Sequence, residues 1–101
     1  MRVSFTFRNV QSSEALKSFA TEKLERLRKY SPLPPEVDVI LSNERHLFRV
    51  DMTAQVDGER FAGFDESEDI YHSLTAAIDR IDRQIRDSKA AETSRRHHGH
   101  V

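Results

Sequence analysis

A chain of 101 residues has room for one domain with a single small core, and the lack of cysteine excludes disulfides, thiol catalysis and cysteine-type zinc sites. Hydrophobic residues make up 37% and charged residues 33%, with no apolar run long enough to cross a bilayer, so we expect a soluble, cytoplasmic protein. The formal net charge of -1 conceals a segregation, because acids dominate residues 31–66 and bases dominate residues 80–101. Such segregation can direct binding even where the net charge is small.

The first third of the chain predicts a strand followed by a helix. Polar and apolar side chains alternate over residues 2–8, which is typical of a half-buried strand. Ser13 then caps a helix that we expect to run to about Tyr30, where the proline-rich segment 31–35 ends it. The side chains of its buried stripe recur at helical spacing and are Leu16, Phe19, Ala20, Leu24 and Leu27.

The middle of the chain predicts three further strands, because three alternating runs follow one another. They span residues 36–44, 48–56 and 60–64. A turn at 45–47 joins the first two, and Asp57-Gly58 is a strong hairpin signal between the last two. The register of the last strand stays open, so either Phe61 or Phe64 faces the core.

The end of the chain predicts its longest helix, from about Asp65 to Lys89, with Ser67 as the candidate N-cap. Its start is acidic and its second half is basic, which suits the helix dipole. The apolar stripe of this helix consists of Ile70, Leu74, Ala77, Ile78, Ile81 and Ile85. No periodicity follows, so we assign residues 1–90 to one domain and residues 91–101 to a flexible tail.

This order of elements, β-α-β-β-β-α, predicts a single α+β domain with a four-stranded mixed sheet. A crossover helix makes the first two strands parallel, and the hairpins make the remaining pairs antiparallel. Since the strands have one apolar and one polar face, both helices should pack on the same side and run parallel to each other. We expect the core to include Phe5, Phe19, Leu24, Val39, Val50, Leu74, Ile78 and Ile81.

Parallel helices would bring their basic second halves to the same end of the domain, in one positive ridge. The bases concerned are Lys23, Arg26, Arg28, Lys29, Arg80, Arg83, Arg86 and Lys89. The competing interpretation is a solvated, self-paired surface, which charge alone favours, because several of these bases follow an acid by four residues. Those pairs are Glu22–Arg26, Glu25–Lys29, Asp79–Arg83 and Asp82–Arg86. Lys23 and Arg80 have no acid four residues earlier, so local pairing explains them least.

The residues that could support catalysis do not form a recognisable arrangement. The histidines fall in the turn at His46, on the last helix at His72, and in the tail run 95–100, without the spaced partners of a triad or a metal site. The three glycines form no phosphate-binding loop. We therefore expect no enzyme, no cofactor and no metal site.

Several short segments, in this order and spacing, carry a resemblance to a known family. Residues 13–16 and 23–30 open and close the first helix, and residues 41–44 end the second strand. The most specific piece is the Asp-Ile-Tyr run at 69–71, followed by the Arg-Gln-Ile run at 83–85. Together they resemble the short form of the ribosome hibernation promoting factor family, also called ribosome-associated inhibitor or ribosomal subunit interface protein, over nearly the whole chain.

The resemblance implies both a fold and a function. The fold would be the one above, similar in layout to the double-stranded-RNA-binding domain. The protein would occupy the mRNA and tRNA groove of the small ribosomal subunit, inhibit translation, and favour dormant ribosomes under stress or in stationary phase. Its partners would be that subunit and its rRNA, with a second hibernation factor as a candidate partner in ribosome pairing.

The same resemblance implies the positions of the RNA contacts, which would be dominated by phosphates. The residues implied are Lys23, Arg26, Lys29, Arg80, Arg83, Gln84 and Arg86. We expect a monomer in isolation, with no membrane partner. The alternative function is a regulator of the sigma-factor-modulating type, which would bind a protein without contacting RNA.

Overall fold

The computed structural model describes the backbone of residues 1–98 and the side chains as far as residue 92. Its elements follow the predicted order of strand, helix, three strands and helix. They are β1 (Arg2–Arg8), α1 (Glu14–Leu24), a 3-10 helix (Glu25–Tyr30) that continues α1, β2 (Glu36–Glu44), β3 (Leu47–Val56), β4 (Glu59–Ser67) and α2 (Ile70–His98). None of the helices within this described part is long and apolar enough to cross a membrane.

The four strands form one mixed sheet in the order β1-β2-β3-β4. β1 pairs with β2 in parallel, and the other two pairings are antiparallel, as predicted. Contacts between the helical segments fix their direction. Phe19 contacts Tyr71 edge to face, and Tyr30 contacts Asp82, so residue numbers rise together along both segments. The predicted α+β fold with two parallel helices is confirmed.

The core lies between the sheet and the helices, and most of the side chains predicted for it are fully buried. Those at 0% exposure are Leu24, Val39, Val50, Leu74, Ile78 and Ile81. Phe5 and Phe19 are only partly buried and pack against the core at its rim. For Phe5 the reason is its place on β1, an edge strand with one neighbour instead of two.

The register of β4 is settled by its burial pattern. Phe61 is buried, and Gly63 lies close under α2, where an added Cβ would be 3.4 Å from the Cβ of Arg80. Phe64 therefore points to the opposite, open face of the sheet and is 45% exposed. β4 is also longer than predicted, since it pairs with β3 as far as Ser67 opposite Phe48.

This longer strand corrects the predicted start of the last helix. Asp65 and Glu66 lie on β4, and α2 has no acid in its first turn. The predicted N-cap at Ser67 is wrong, because the side chain of Asp69 accepts the hydrogen bond from the backbone N–H of Tyr71 at 3.0 Å. The hydroxyl of Ser67 instead contacts that of Ser73 at 2.6 Å.

The ends of the helical segments also differ from the prediction. The first helix is α-helical only to Leu24 and reaches Tyr30 as a 3-10 helix. α2 was predicted to end at Lys89 but continues to His98, so the assigned tail begins as helix. Flexibility of residues 91–101 stays a prediction, and residues 99–101 lie outside the described part of the chain.

Candidate nucleic-acid interface

All seven side chains predicted to contact RNA belong to the helical segments on one face of the sheet. Five of them divide into two groups by the elements they contact. Arg26 and Arg86 lie where the first helical segment meets α2, and together with Tyr30, Asp79 and Asp82 they form what we call the helix seam. Arg80, Arg83 and Gln84 lie where α2 meets the edge strand β4. The two lysines, Lys23 and Lys29, lie over aromatic rings instead.

The helix seam is a chain of charged and hydrogen-bonded groups. Arg26 forms an ion pair with Asp79 of α2, and its buried Nε has no hydrogen-bond partner within the described residues. The Tyr30 hydroxyl donates to Oδ1 of Asp82 at 2.6 Å, and Nε of Arg86 lies 3.5 Å from the other oxygen of that carboxylate. Burial, reinforced by the hydrogen bond to Asp82, raises the pKa of Tyr30 to about 12. Asp82 thus holds both Tyr30 and Arg86 in place.

On the other side of α2, Arg80 and Gln84 reach the edge strand. Arg80 donates to Asp65 at 3.1 Å, and the Gln84 amide donates to the backbone carbonyl of Ala62 at 2.7 Å. Between strand and helix lies an open depression of about 390 Å³, which we call the β4–α2 groove. It is lined by Ala62, Gly63, Phe64, Arg80, Arg83, Gln84 and Asp87.

Lys23, Lys29 and Arg83 form no ion pair with any side chain of residues 1–92. The Lys23 ammonium lies 5.1 Å from the ring centroid of Phe19, and that of Lys29 lies 5.2 Å from the ring of Tyr30. Such cation–π contacts leave the charge available to an anion. Within the predicted set, these three side chains are therefore the cations that the carboxylates of residues 1–92 leave uncompensated.

The self-paired interpretation of the helices is largely wrong in its details. Of the four predicted i,i+4 pairs only Asp82–Arg86 forms, while Glu25 pairs with Arg28 instead. Arg26 pairs with Asp79 of α2, so this ion pair joins two different elements. Arg80, which local pairing had left unexplained, has its acid on β4. The side chains of Arg26, Arg80 and Arg86 are thus partly exposed, but each guanidinium is paired with a neighbouring carboxylate.

The bases of the predicted ridge do not all lie on the same side of α2. Arg86 lies on the side of α2 that faces the first helix, because its partner Asp82 is bonded to Tyr30. Arg80 lies on the opposite side, because its partner Asp65 belongs to β4. Bases thus flank α2 on both sides, and whether they contact RNA stays a prediction.

A feature that the sequence did not reveal is the environment of Phe64. The guanidinium of Arg49 lies 4.0 Å from its ring centroid. That guanidinium is held by two hydrogen bonds to Asp51, at 2.9 and 3.0 Å, and by a third to Glu66 at 2.9 Å. The hydrogen bonds to Asp51 raise the pKa of Arg49 above its ordinary value. The sequence did not decide whether Phe61 or Phe64 faces the core, so the contact between Phe64 and Arg49 was not predicted.

The described residues contain no cluster of three or more histidine or carboxylate side chains able to hold a metal ion. His46 lies in the exposed turn between β2 and β3, and His72 is exposed on α2. The side chains of the tail histidines lie outside the described part.

Residues 3–92 match the family model described as Sigma 54 modulation protein / S30EA ribosomal protein. The chain belongs to this family. The resemblance inferred from the sequence segments is thereby confirmed.

Two relatives in this family are named ribosome hibernation promoting factor. The one from Pseudomonas putida is 29% identical over 94 residues, covering 93% of this chain and 92% of the relative. The one from Escherichia coli strain K12 is 32% identical over 85 residues, covering 84% of this chain and 90% of the relative. The match therefore extends over nearly the full length on both sides.

Two solved structures share the fold. The crystal structure of the Thermus thermophilus Protein Y N-terminal domain superposes with a TM-score of 0.78 at 23% identity, covering 84% of this chain and 96% of that one. A ribosomal subunit interface protein from Coxiella burnetii superposes with a TM-score of 0.77 at 22% identity, covering 89% of this chain and 99% of that one. At this identity the two structures support the fold alone.

Proposed function

We propose that this protein is a ribosome-binding hibernation factor that contacts rRNA of the small subunit through its helical face. The observation that carries the proposal is the near full-length match to relatives named ribosome hibernation promoting factor. In the proposed mode the protein occupies the mRNA and tRNA groove, inhibits translation, and favours dormant ribosomes under stress or in stationary phase. It acts in the cytoplasm, where the ribosomes are.

The charges of the helical face support this mode. Lys23, Lys29 and Arg83 meet no carboxylate among residues 1–92, so phosphates gain attraction without displacing a partner. Arg26 pairs with Asp79 at the surface, whereas Arg80 pairs with Asp65, whose side chain is only 13% exposed. Exposed ion pairs contribute only about 0–1 kcal/mol, so exchanging Asp79 for an RNA phosphate at Arg26 costs little. Binding built from such contacts falls steeply with salt concentration.

The open face of the sheet carries charges of both signs on the side away from the helices. Glu36 pairs there with Arg2, and Glu66 pairs with Arg49, while Asp38 is exposed. The proposed orientation, with the helices towards RNA, therefore rests on Lys23, Lys29 and Arg83 of the helical face.

Sedimentation with separated ribosomal subunits tests the proposal. Purified protein is centrifuged with small subunits, with large subunits and with intact ribosomes, and each pellet is analysed for the protein. We expect pelleting with small subunits and intact ribosomes, displacement by mRNA together with tRNA, and inhibition of a cell-free translation reaction. Equal pelleting with both subunits, or binding that mRNA and tRNA do not displace, would contradict binding in the mRNA and tRNA groove of the small subunit.

The family description also includes sigma 54 modulation, which makes a protein-binding regulator the second candidate. The same fractions distinguish the two candidates. A regulator of this type would be retained by RNA polymerase carrying the alternative sigma factor and would leave ribosomes unbound. The hibernation factor would show the reverse.

A further inference from the structure

We propose that the β4–α2 groove is a subsite for one unpaired nucleotide of single-stranded RNA, with the base stacked on Phe64 and its phosphate at Arg83 and Arg80. This inference rests on the proposed function, since it specifies a kind of RNA contact for the same protein. It adds a base contact to a surface otherwise expected to bind phosphates.

The size and construction of the groove suit a nucleotide. Its volume of about 390 Å³ lies within the range of roughly 300–1,000 Å³ that small-molecule sites occupy. One wall is the backbone of the edge strand β4 and the other is the polar surface of α2. The two walls are close at Gly63, where an added Cβ would lie in van der Waals contact with the Cβ of Arg80, at 3.4 Å.

Phe64 provides an exposed aromatic side chain at the rim of the groove, because it points to the open face of the sheet from the edge strand that forms one wall. It is 45% exposed and lines both this groove and a second depression on the open face of the sheet. Arg49 stacks on its ring at 4.0 Å but lines neither depression. A ring held by a guanidinium that is itself fixed to Asp51 and Glu66 loses little freedom when a base stacks on it.

Gln84 supplies an acceptor for the edge of the base. Its amide nitrogen donates to the carbonyl of Ala62 at 2.7 Å, and this bond determines which end of the amide faces the strand. The amide oxygen is then left to accept a hydrogen bond from an amino or imino group of a base. The side chain is exposed, so a ligand can reach it.

The charges of the groove give it a polarity. Arg83 is exposed and forms no ion pair within residues 1–92, and Arg80 adds a second guanidinium beside it. Asp87 lies one helical turn beyond Arg83 and lines the same groove. A carboxylate repels phosphate but accepts from base amino groups, so the phosphate belongs at the arginines.

The combination of an aromatic ring, guanidinium groups and an amide distinguishes unpaired from paired RNA. In a duplex the faces of the bases are stacked and cannot reach Phe64, whereas a base in a loop or a single strand can be turned outward. The groove should therefore favour single-stranded RNA with little sequence preference, since every base has a face on which to stack.

The test is a titration of the full-length, ¹⁵N-labelled protein, followed by NMR. A single-stranded oligoadenylate and an RNA duplex of the same length are added separately. We expect the oligoadenylate to shift the signals of the Gly63 backbone amide and the Gln84 side-chain amide strongly, and the duplex, which offers phosphates but no free base face, to shift them far less. Shifts of equal size with both RNAs would overturn the preference for an unpaired base.

The variant F64L keeps an apolar side chain but removes the ring. Stacking on an aromatic side chain contributes about 1–3 kcal/mol per base, so F64L should weaken oligoadenylate binding by about tenfold. F64W keeps an aromatic ring, so it should bind oligoadenylate about as tightly as the wild type does. The matched control is L47A, because Leu47 is an apolar strand residue with nearly the same exposure, 44%, and lies outside the groove. Unchanged oligoadenylate affinity in F64L would overturn the inference.

Ribosome sedimentation separates this inference from the proposed function. If F64L binds oligoadenylate normally while the wild type binds small subunits, the subsite is wrong and the hibernation function stands. If F64L loses ribosome binding but keeps oligoadenylate binding, Phe64 contacts a ribosomal protein, and the subsite is again wrong. If the wild type binds oligoadenylate but no ribosomal subunit, the proposed function fails instead.

Discussion

The hydroxyl of Tyr30 donates a hydrogen bond of 2.6 Å to the carboxylate of Asp82 and thereby joins the end of the first helical segment to the middle of α2. Asp82 is 9% exposed and is one of the two buried polar residues among those described. Its second oxygen lies 3.5 Å from Arg86. One carboxylate therefore sets the spacing of the helices and the direction of a candidate RNA-binding side chain.

Removal of this hydroxyl should destabilise the fold. Y30F leaves the Asp82 carboxylate with one partner fewer at a buried site, and an unsatisfied buried acceptor costs roughly 1–3 kcal/mol. Urea denaturation followed by circular dichroism measures the loss. The matched control is Y71F, since Tyr71 is 40% exposed. Equal stability of Y30F and Y71F would show that the Tyr30–Asp82 bond contributes nothing.

The same bond predicts a loss of stability at high pH. The pKa of Tyr30 rises from 10.0 to about 12 in the fold, first through burial and then through Asp82, while Arg86 and Arg26 oppose the rise. The folded state therefore holds this proton more tightly than the unfolded state. The contribution is complete below pH 10 and is lost as the pH rises towards about 12. Unfolding experiments across this range should show a steeper decline for the wild type than for Y30F.

Truncation of the core side chain of Ile78 should be costly. Ile78 is fully buried in the cluster between α2 and the sheet. I78A removes three carbons and leaves a cavity, which costs roughly 2–5 kcal/mol at such sites. H72A on the exposed side of the same helix should change stability by less than about 0.5 kcal/mol. A loss below about 1 kcal/mol for I78A would contradict the described packing.

The start of α2 gives a prediction that tests the observed N-cap, Asp69, in place of Ser67, which the sequence pattern had suggested. D69A removes the side chain that accepts from the N–H of Tyr71 and should cost about 1 kcal/mol. E68A, at the exposed neighbouring position, should have little effect. Thermal melting of the two variants is a sufficient measurement. Equal melting temperatures would mean that Asp69 does not cap the helix.

The strands were predictable because alternation and turn chemistry act locally. Asp57 and Gly58 both have positive φ angles, 55° and 77°, as their hairpin turn requires. The start of α2 was not predictable in this way. Asp65 and Glu66 resemble the acidic first turn of a helix, but they pair with Val50 and Arg49 of β3. Their position depends on a partner strand, which a local pattern does not reveal.

The candidate site shows the same division. Its seven residues were identified through the family resemblance, and the structure shows their partners. The i,i+4 rule missed the bond from Arg26 to Asp79 because these residues are 53 positions apart. It likewise missed Arg80 and Asp65, which meet across the packing of α2 on β4. Tertiary contacts, not helix spacing, decide which bases keep an uncompensated charge.

Two of those uncompensated bases are the positions at which a reversal of charge tests RNA binding by the helical face. The pair K23E/R83E changes one cation on each helix, and both side chains lack an ion pair within residues 1–92. Arg80 is left unchanged, because a glutamate there would face Asp65, whose side chain is only 13% exposed. The matched control is R8E/R60E, which makes the same change in charge at exposed strand positions away from the helices.

The deciding measurement is co-sedimentation of wild type, K23E/R83E and R8E/R60E with small ribosomal subunits over a series of salt concentrations. We expect K23E/R83E to bind far more weakly, with the slope of log affinity against log salt reduced by about one for each lost phosphate contact. R8E/R60E should bind nearly as the wild type does. Equal binding of K23E/R83E and the wild type at every salt concentration would contradict an RNA-binding helical face.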